Sequence, residues 1–296
     1  MDTSIDWPVK QRELVKWVCD SRLWNNFIMR DDDIVISTWS KAGTNWMQQI
    51  VGQLVFNGAP GLYTSFEASP WIDFRLAPGA PFADAQTHRR CLKSHLPIDT
   101  LPYSPKAKYI YVARDGRDVY WSWHNHYANF EPPVLEAINA LYPDDPPVPY
   151  PAADMRVAFN QWLDSDGYPN WPFWPHVQGW FDARRLPNLR LVHFANLKAD
   201  LPGEIRSLAE FLGIDIDEAA WPAILEHCSF EYMRGRAMER EEHLLKGGGA
   251  TFYNKGTNGR WRDVLTAEDI ARYEAEVARN LTPECAEWLA TGGLPA

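Results

Sequence analysis

The sequence predicts an α/β protein in three layers, a central parallel sheet flanked by helices on both faces. Three observations carry that expectation. Short apolar runs at 33–38, 91–95, 108–114 and 189–194 have the length and composition of strands buried on both sides. Apolar residues spaced three and four apart predict helices over 44–56, 117–127, 155–163, 174–184, 201–212 and 267–280. Strand and helix alternate along the chain, and strands joined through helices lie parallel. No repeat or linker divides the 296 residues, so a single domain, 1–296, is expected.

The first strand, carrying Ile34-Val35-Ile36, runs straight into "STWSKAGTNW". A strand, a small-residue turn at Ala42-Gly43 and a helix opening near Thr44 form an anion-binding arrangement, since backbone N–H groups and the positive end of the helix dipole converge there. The usual triphosphate loop places Lys after its last Gly, whereas Lys41 precedes Gly43. The loop is therefore built for a phosphate, with the ammonium in an unusual place.

The segment 60–82, rich in aromatics and Pro, is expected to be irregular. Next, "CLKSHLP" puts Lys93 and His95 two apart on a strand, so both side chains leave the same face near the ligand-facing end of the sheet. A base beside a cation suits activation of a hydroxyl next to an anionic leaving group; a lone structural His is the plainer alternative. In "YIYVARDGRDVYWSW" an apolar strand ends at Arg114 and a helix carrying Ser122 follows. Arg114 at the sheet end needs an anion, either a ligand or a structural carboxylate from Asp115 or Asp118. His124 and His126 lie two apart on a helix and point in different directions, which speaks against metal binding.

The stretch 129–151, including "YPDDPPVPYP", is expected to be a second irregular excursion. Trp174, Val177 and Phe181 share a helical stripe that predicts core packing first and pocket lining second. In the 201–212 helix, Ile205, Leu208, Ala209 and Leu212 form the buried stripe. "EREEHLLKGGGA" is expected to act as a mobile flap, and "FYNKGTNGRWRD" is a Gly-rich basic loop able to wrap a phosphate or to form a solvated turn.

Composition narrows the partners. A net charge of −10 argues against general nucleic-acid binding. The four cysteines (Cys19, Cys91, Cys228, Cys285) lie far apart without a C-x-x-C pair, so no zinc ribbon or disulfide framework is expected. A charged N-terminus and the lack of a membrane-length apolar stretch lead to the expectation of a soluble, cytoplasmic protein.

Together and in this order, these motifs resemble the cytosolic sulfotransferase family, which moves a sulfonate group from 3′-phosphoadenosine 5′-phosphosulfate (PAPS) to an alcohol, phenol or amine. "TWSKAGTNW" is similar to its 5′-phosphosulfate loop, "KSHLP" to its catalytic-His strand, "VARDGRDVYWSW" to its 3′-phosphate segment and "NKGTNGRW" to its late Gly-rich loop. The resemblance implies the P-loop-kinase-like sulfotransferase fold and a role for each matched position. Lys41 contacts the bridging oxygen, and Ala42, Gly43, Thr44 and Asn45 hold the 5′-phosphate. Trp46 and Phe230 sandwich the adenine, with Phe194 beside it and Cys228 near it. Arg114 and Ser122 bind the 3′-phosphate, helped by Asn254, Lys255 and Gly256. His95 is the base, and Lys93 stabilises charge on the transferred group; Lys41 and Ser122 belong with them to the catalytic set. No metal is implied.

Departures from the family's pattern are visible. Asn254 stands where Arg is usual, with Arg260, Arg262 or Arg236 as candidate substitutes; Phe194 stands for Tyr and Cys228 for Thr. The family's dimer motif is poorly matched by "RDVLTAEDIA", so oligomeric state stays open. Tyr63, Phe66, Trp71, Phe74, Trp123, Tyr127 and Phe130 predict an apolar pocket for a small hydrophobic acceptor: an alcohol, a phenol or a lipid-linked sugar. The alternatives are a small-molecule kinase with a divergent phosphate loop and a non-catalytic binder of adenosine 3′,5′-bisphosphate (PAP).

Overall fold

The computed structural model describes residues 5–77, 79–239 and 244–294. Its centre is a parallel sheet of β1 (Ile34–Thr38), β2 (Cys91–Ser94), β3 (Lys108–Ala113) and β4 (Leu189–His193), in the order β2-β1-β3-β4. Helix α1 (Thr44–Val55) follows β1, and α2 (Ala80–Asp84) precedes β2. Between β3 and β4 come α3 (Gly116–Ala128), α4 (Pro132–Leu141), α5 (Met155–Asp164) and α6 (Phe173–Asp182). After β4 run α7 (Phe194–Ala199), α8 (Leu201–Leu212), α9 (Trp221–His227), α10 (Phe230–Met238), α11 (Gly248–Phe252), α12 (Ala267–Asn280) and α13 (Pro283–Thr291).

The period-two geometry of strands sends alternate side chains to opposite faces, and the core divides accordingly. Ile34, Ile36, Ile110, Val112 and Val192 pack with Met47, Ile50, Val51 and Leu54 of α1 and Ile205, Leu208 and Leu212 of α8. Val35, Tyr109, Tyr111, Leu189 and Leu191 face the larger cluster, with Phe159, Trp162, Phe173, Trp174, Trp180, Tyr273 and Trp288 from α5, α6, α12 and α13. Three layers result. At the far end of the sheet from the ligand side, buried Arg90 forks onto Asp33 through Nε at 2.7 Å and Nη2 at 2.6 Å. The Asp33 carbonyl also accepts from the Lys108 amide, so this pair ties β1, β2 and β3 together at their starts.

The expected strands are present, with ends trimmed by one residue. His95 and Arg114 follow β2 and β3, and Phe194 is the first residue of α7 instead of the last of β4. The 129–151 excursion is not wholly irregular, because α4 occupies part of it. Proline opens this helix at its first turn, where a missing N–H costs nothing, and Leu135 and Ile138 bury its inner face. Among the described residues of 60–82 the only helix begins at Ala80. In the flap, Arg240 to His243 lie outside the described residues, while α11 orders its far side.

Candidate active site

Parallel register brings the strand ends level. Ser37 pairs with Ser94, Thr38 with Val112, and Ala113 with His193. The residues that follow, His95, Arg114 and Phe194, therefore meet the 38–44 turn at the carboxyl edge of the sheet. A cleft of about 980 Å³ opens there.

The 38–44 turn is shaped by two residues in left-handed conformations, Lys41 at φ 68° and Gly43 at φ 123°. A Cβ at Gly43 would sit 3.1 Å from the Phe194 ring, so glycine meets both the backbone and the space requirement. Helix α1 then starts without a side-chain cap, which leaves its first N–H groups available at the cleft. The Thr44 hydroxyl lies 2.6 Å from that of Thr38, and the Lys41 ammonium 4.4 Å from the centre of the Phe252 ring. Lys41, Gly43, Thr44, Asn45 and Trp46 all line the cleft. Ala42 does not: its side chain is packed into the core.

His95 is buried and held from both ends. Its backbone N–H donates to Asp73 at 3.1 Å, and its Nδ1 lies 2.8 Å from the Thr38 carbonyl oxygen. A carbonyl can only accept, so Nδ1 carries the proton and Nε2 keeps its lone pair. Nε2 has no hydrogen-bond partner among the described residues. Burial, then the neighbouring Lys93, holds the imidazole well below its usual titration range, so it is neutral at physiological pH. The Lys93 ammonium sits 4.0 Å over the Trp71 ring, and burial brings it down to about 8 against the pull of Asp73. Asp73 itself accepts from the indoles of Trp24 and Trp71. Nothing in the sequence around Asp73 signals this supporting part.

Arg114 does not form the structural ion pair with Asp115 that was open from sequence; Asp115 pairs with Arg117. Instead Arg114 donates to the Asn258 side chain and to the Thr257 carbonyl, both at 2.9 Å, and lies 4.2 Å over the Phe194 ring. Burial brings its guanidinium down to about 10, opposed by Asp118 and Asp115 and reinforced by Arg260. Ser122, on α3, also lines the cleft, as do Lys255 and Gly256. Gly256 has φ 61°, and a Cβ there would come within 2.8 Å of the Phe230 ring. Asn254 also lines the cleft, and its amide donates to Asn125 at 2.7 Å.

Trp46, Phe194 and Phe230 line the cleft; Trp46 and Phe194 meet edge to face at 5.2 Å. The Trp46 indole is fixed by donating to the Cys228 carbonyl at 2.8 Å. Cys228 contributes through that backbone contact, since its side chain is packed in the core away from the cleft. Trp17, Phe66, Trp71, Phe74, Tyr127 and Phe130 line an apolar chamber of the cleft; Trp71 packs edge to face on the His95 ring and stacks on Phe74, which meets Phe66, while Tyr127 meets Trp17 and Phe130. Tyr63 stacks on Phe56 instead, and Trp123 is in the core, so neither joins this wall. His126 lines the chamber while His124 turns away to the Ala152 carbonyl, the divergence expected of their spacing. Among the described residues no cluster of metal-ligating side chains occurs. No helix there is long and apolar enough to cross a membrane.

The family model "Sulfotransferase domain" matches residues 31–283. A glycolipid sulfotransferase of Mycobacterium bovis is 30% identical, over 93% of this chain and 93% of its own length. Mouse sulfotransferase 1A1 is 28% identical, over 93% of this chain and 94% of its own. Among solved structures, a mouse sulfotransferase complexed with PAP superposes with a TM-score of 0.71 at 19% identity, covering 91% of each chain. The matched region contains the phosphate turn, the His95 strand end and the Arg114 segment in one cleft, and sequence, fold and constellation agree: the chain belongs to the sulfotransferase domain family and is a sulfotransferase.

Proposed function

We propose that this cleft transfers sulfonate in line from PAPS, without a metal, to the hydroxyl of an apolar acceptor seated in the aromatic chamber. The observation that carries this reading is His95: a neutral imidazole with Nδ1 committed to Thr38, and Nε2 unpaired between a cationic turn and an apolar chamber. A lone pair held there removes the proton of an incoming hydroxyl. Lys93 faces the charge on the moving group, and Lys41 with the uncapped start of α1 receives the charge growing on the departing phosphate oxygen. These parts, with Gly43, Thr44 and Asn45, supply the electrostatic role that a divalent ion plays in triphosphate chemistry.

Arg114 and Ser122, with Lys255 and Gly256, are assigned to the 3′-phosphate, and Trp46, Phe194 and Phe230 to the adenine. Arg114 supports this by being buried with neutral hydrogen-bond partners and no carboxylate within ion-pair distance among the described residues, so that Asp118 and Asp115 offset its charge only from farther off. The acceptor is a hydrophobic alcohol, a phenol or a glycolipid; the name of the Mycobacterium bovis relative and the aromatic chamber favour this class over charged polysaccharides. The chain works as one domain, since the larger core cluster joins Leu14 to Leu289, and four unpaired, buried cysteines suit a reducing cytoplasm.

The test is an acceptor panel with PAPS in the presence of EDTA: alkyl alcohols, phenols and a glycolipid against a sulfatable polysaccharide. Transfer confined to the apolar acceptors and indifferent to EDTA is expected. Transfer only to the polysaccharide, or only with added divalent metal, would overturn the proposal.

A further inference from the structure

The late loop leaves a question that its sequence raises and its neighbours answer. Position 254, on the wall beside the Arg114 region, carries an amide instead of a cation, and that amide is already engaged with Asn125. Asn125 in turn donates to the Thr251 carbonyl, so the pair serves to tie α3 to the loop. A phosphate held by Arg114 would therefore lack a second charged donor from this position.

Three cations lie within reach along the chain, and the structure separates them. Arg236 is ion-paired with Glu239 on α10 and does not line the cleft. Arg262 lies over the Trp261 ring at 4.6 Å, with its guanidinium turned back toward Gly259, and is also outside the cleft. Arg260 lines it. Gly259, at φ 81°, opens the 3-10 turn Arg260–Asp263, and its N–H donates to Asp118 at 2.7 Å. This anchors the loop on α3 and sets Arg260 beside Trp121, whose ring centre is 5.8 Å from the guanidinium carbon.

The charges around Arg260 do not cancel. Arg114 and Arg260 lie close enough to act on each other across the cleft lining, and Asp118 is the carboxylate acting on both; Lys255 also lines the cleft, and Asp115 is taken by Arg117. Among the described residues Arg260 has neither a hydrogen bond nor a carboxylate within ion-pair distance. Arg114 has neutral hydrogen-bond partners only. Two arginines near enough to repel, on a partly buried wall, are a configuration that an anion between them would relieve.

We propose that Arg260 completes the 3′-phosphate site, taking over from the 3-10 turn the role left empty by Asn254, so that the 3′-phosphate is held between Arg114 and Arg260. This rests on the nucleotide assignment given above. It makes Arg260 a binding residue for the dianionic 3′-phosphate and a determinant of the preference for PAP over a nucleotide without that group.

Calorimetry with PAP and with AMP, which lacks the 3′-phosphate, tests it on Arg260→Met, on the double variant Arg260→Met/Asn254→Arg, and on Arg262→Met as a control. Loss of one charge-assisted contact predicts PAP binding weaker by about 10- to 100-fold in Arg260→Met, with AMP nearly unchanged. Asn254→Arg should restore most of the PAP affinity, and Arg262→Met should leave it unaltered. Equal losses for PAP and AMP would mean a structural role and overturn the proposal, as would PAP binding insensitive to Arg260→Met. A wild-type protein that does not bind PAP would overturn the nucleotide assignment itself, an outcome distinct from either.

Discussion

Lys93 gives the account a pH dependence that can be worked out before any measurement. Its ammonium must be charged to face the sulfonate, and burial in the folded protein brings it down to about 8 from the ordinary 10.5. The sign follows from that depression: the proton is lost on going up through pH 8, so the alkaline side is where activity falls. About 90% of the nucleotide-free enzyme carries the proton at pH 7 and about 10% at pH 9, so kcat/KM for PAPS should drop about tenfold between them. An aliphatic alcohol acceptor keeps the substrate hydroxyl from titrating in this window. Below about pH 7 the profile should level off with no acid limb near the usual imidazole range, because His95 is held neutral well below that range. Lys93→Arg replaces the titrating group by one charged throughout, so its plateau should be lower but its alkaline limb absent. A wild-type limb centred near pH 10, or a limb unchanged in Lys93→Arg, would refute the assignment of the charge to Lys93.

Further outcomes follow from the same geometry. His95→Ala should abolish turnover and leave PAP affinity nearly intact, as read by calorimetry; lost PAP binding would contradict its role as base. Lys41→Ala should slow single-turnover transfer by at least about tenfold, and an unchanged rate would remove Lys41 from the mechanism. Asp33→Ala strands the buried Arg90 guanidinium at the far end of the sheet and should cost about 3–5 kcal/mol in chemical denaturation. A loss below about 1 kcal/mol would show that the pair is solvated or dispensable.

Much of this was legible in the sequence, for identifiable reasons. The strands are short runs of β-branched and aromatic residues closed by turns, and a fully buried parallel sheet leaves that mark plainly. The phosphate turn and the Lys93–His95 pair could be found because each is contiguous and local geometry fixes where its side chains go. Helix α4 was hidden by the Pro-rich segment that follows it, although Pro132 and Pro133 at its start and Leu135 with Ile138 carried the signal. What could not be read were contacts across long separations. Arg114 is positioned by Asn258, Trp46 by the carbonyl of Cys228, and His95 by Asp73. Tyr63 and Trp123 illustrate the converse: an aromatic residue near a site in sequence serves the core as readily as the cleft, and only packing decides. The same holds for Arg260, one of several arginines along the chain until the fold separates them.

The most direct test of the central claim is isothermal calorimetry of the metal-free wild-type protein with PAP, and in parallel with ATP and Mg²⁺. The account predicts micromolar binding of PAP and none of ATP, since the 38–44 turn, Arg114 and the late loop together suit a 5′-phosphate and a 3′-phosphate on one adenosine. Binding of Mg²⁺-ATP without binding of PAP would contradict it and return Lys41 to the role of a phosphate-loop lysine in a kinase.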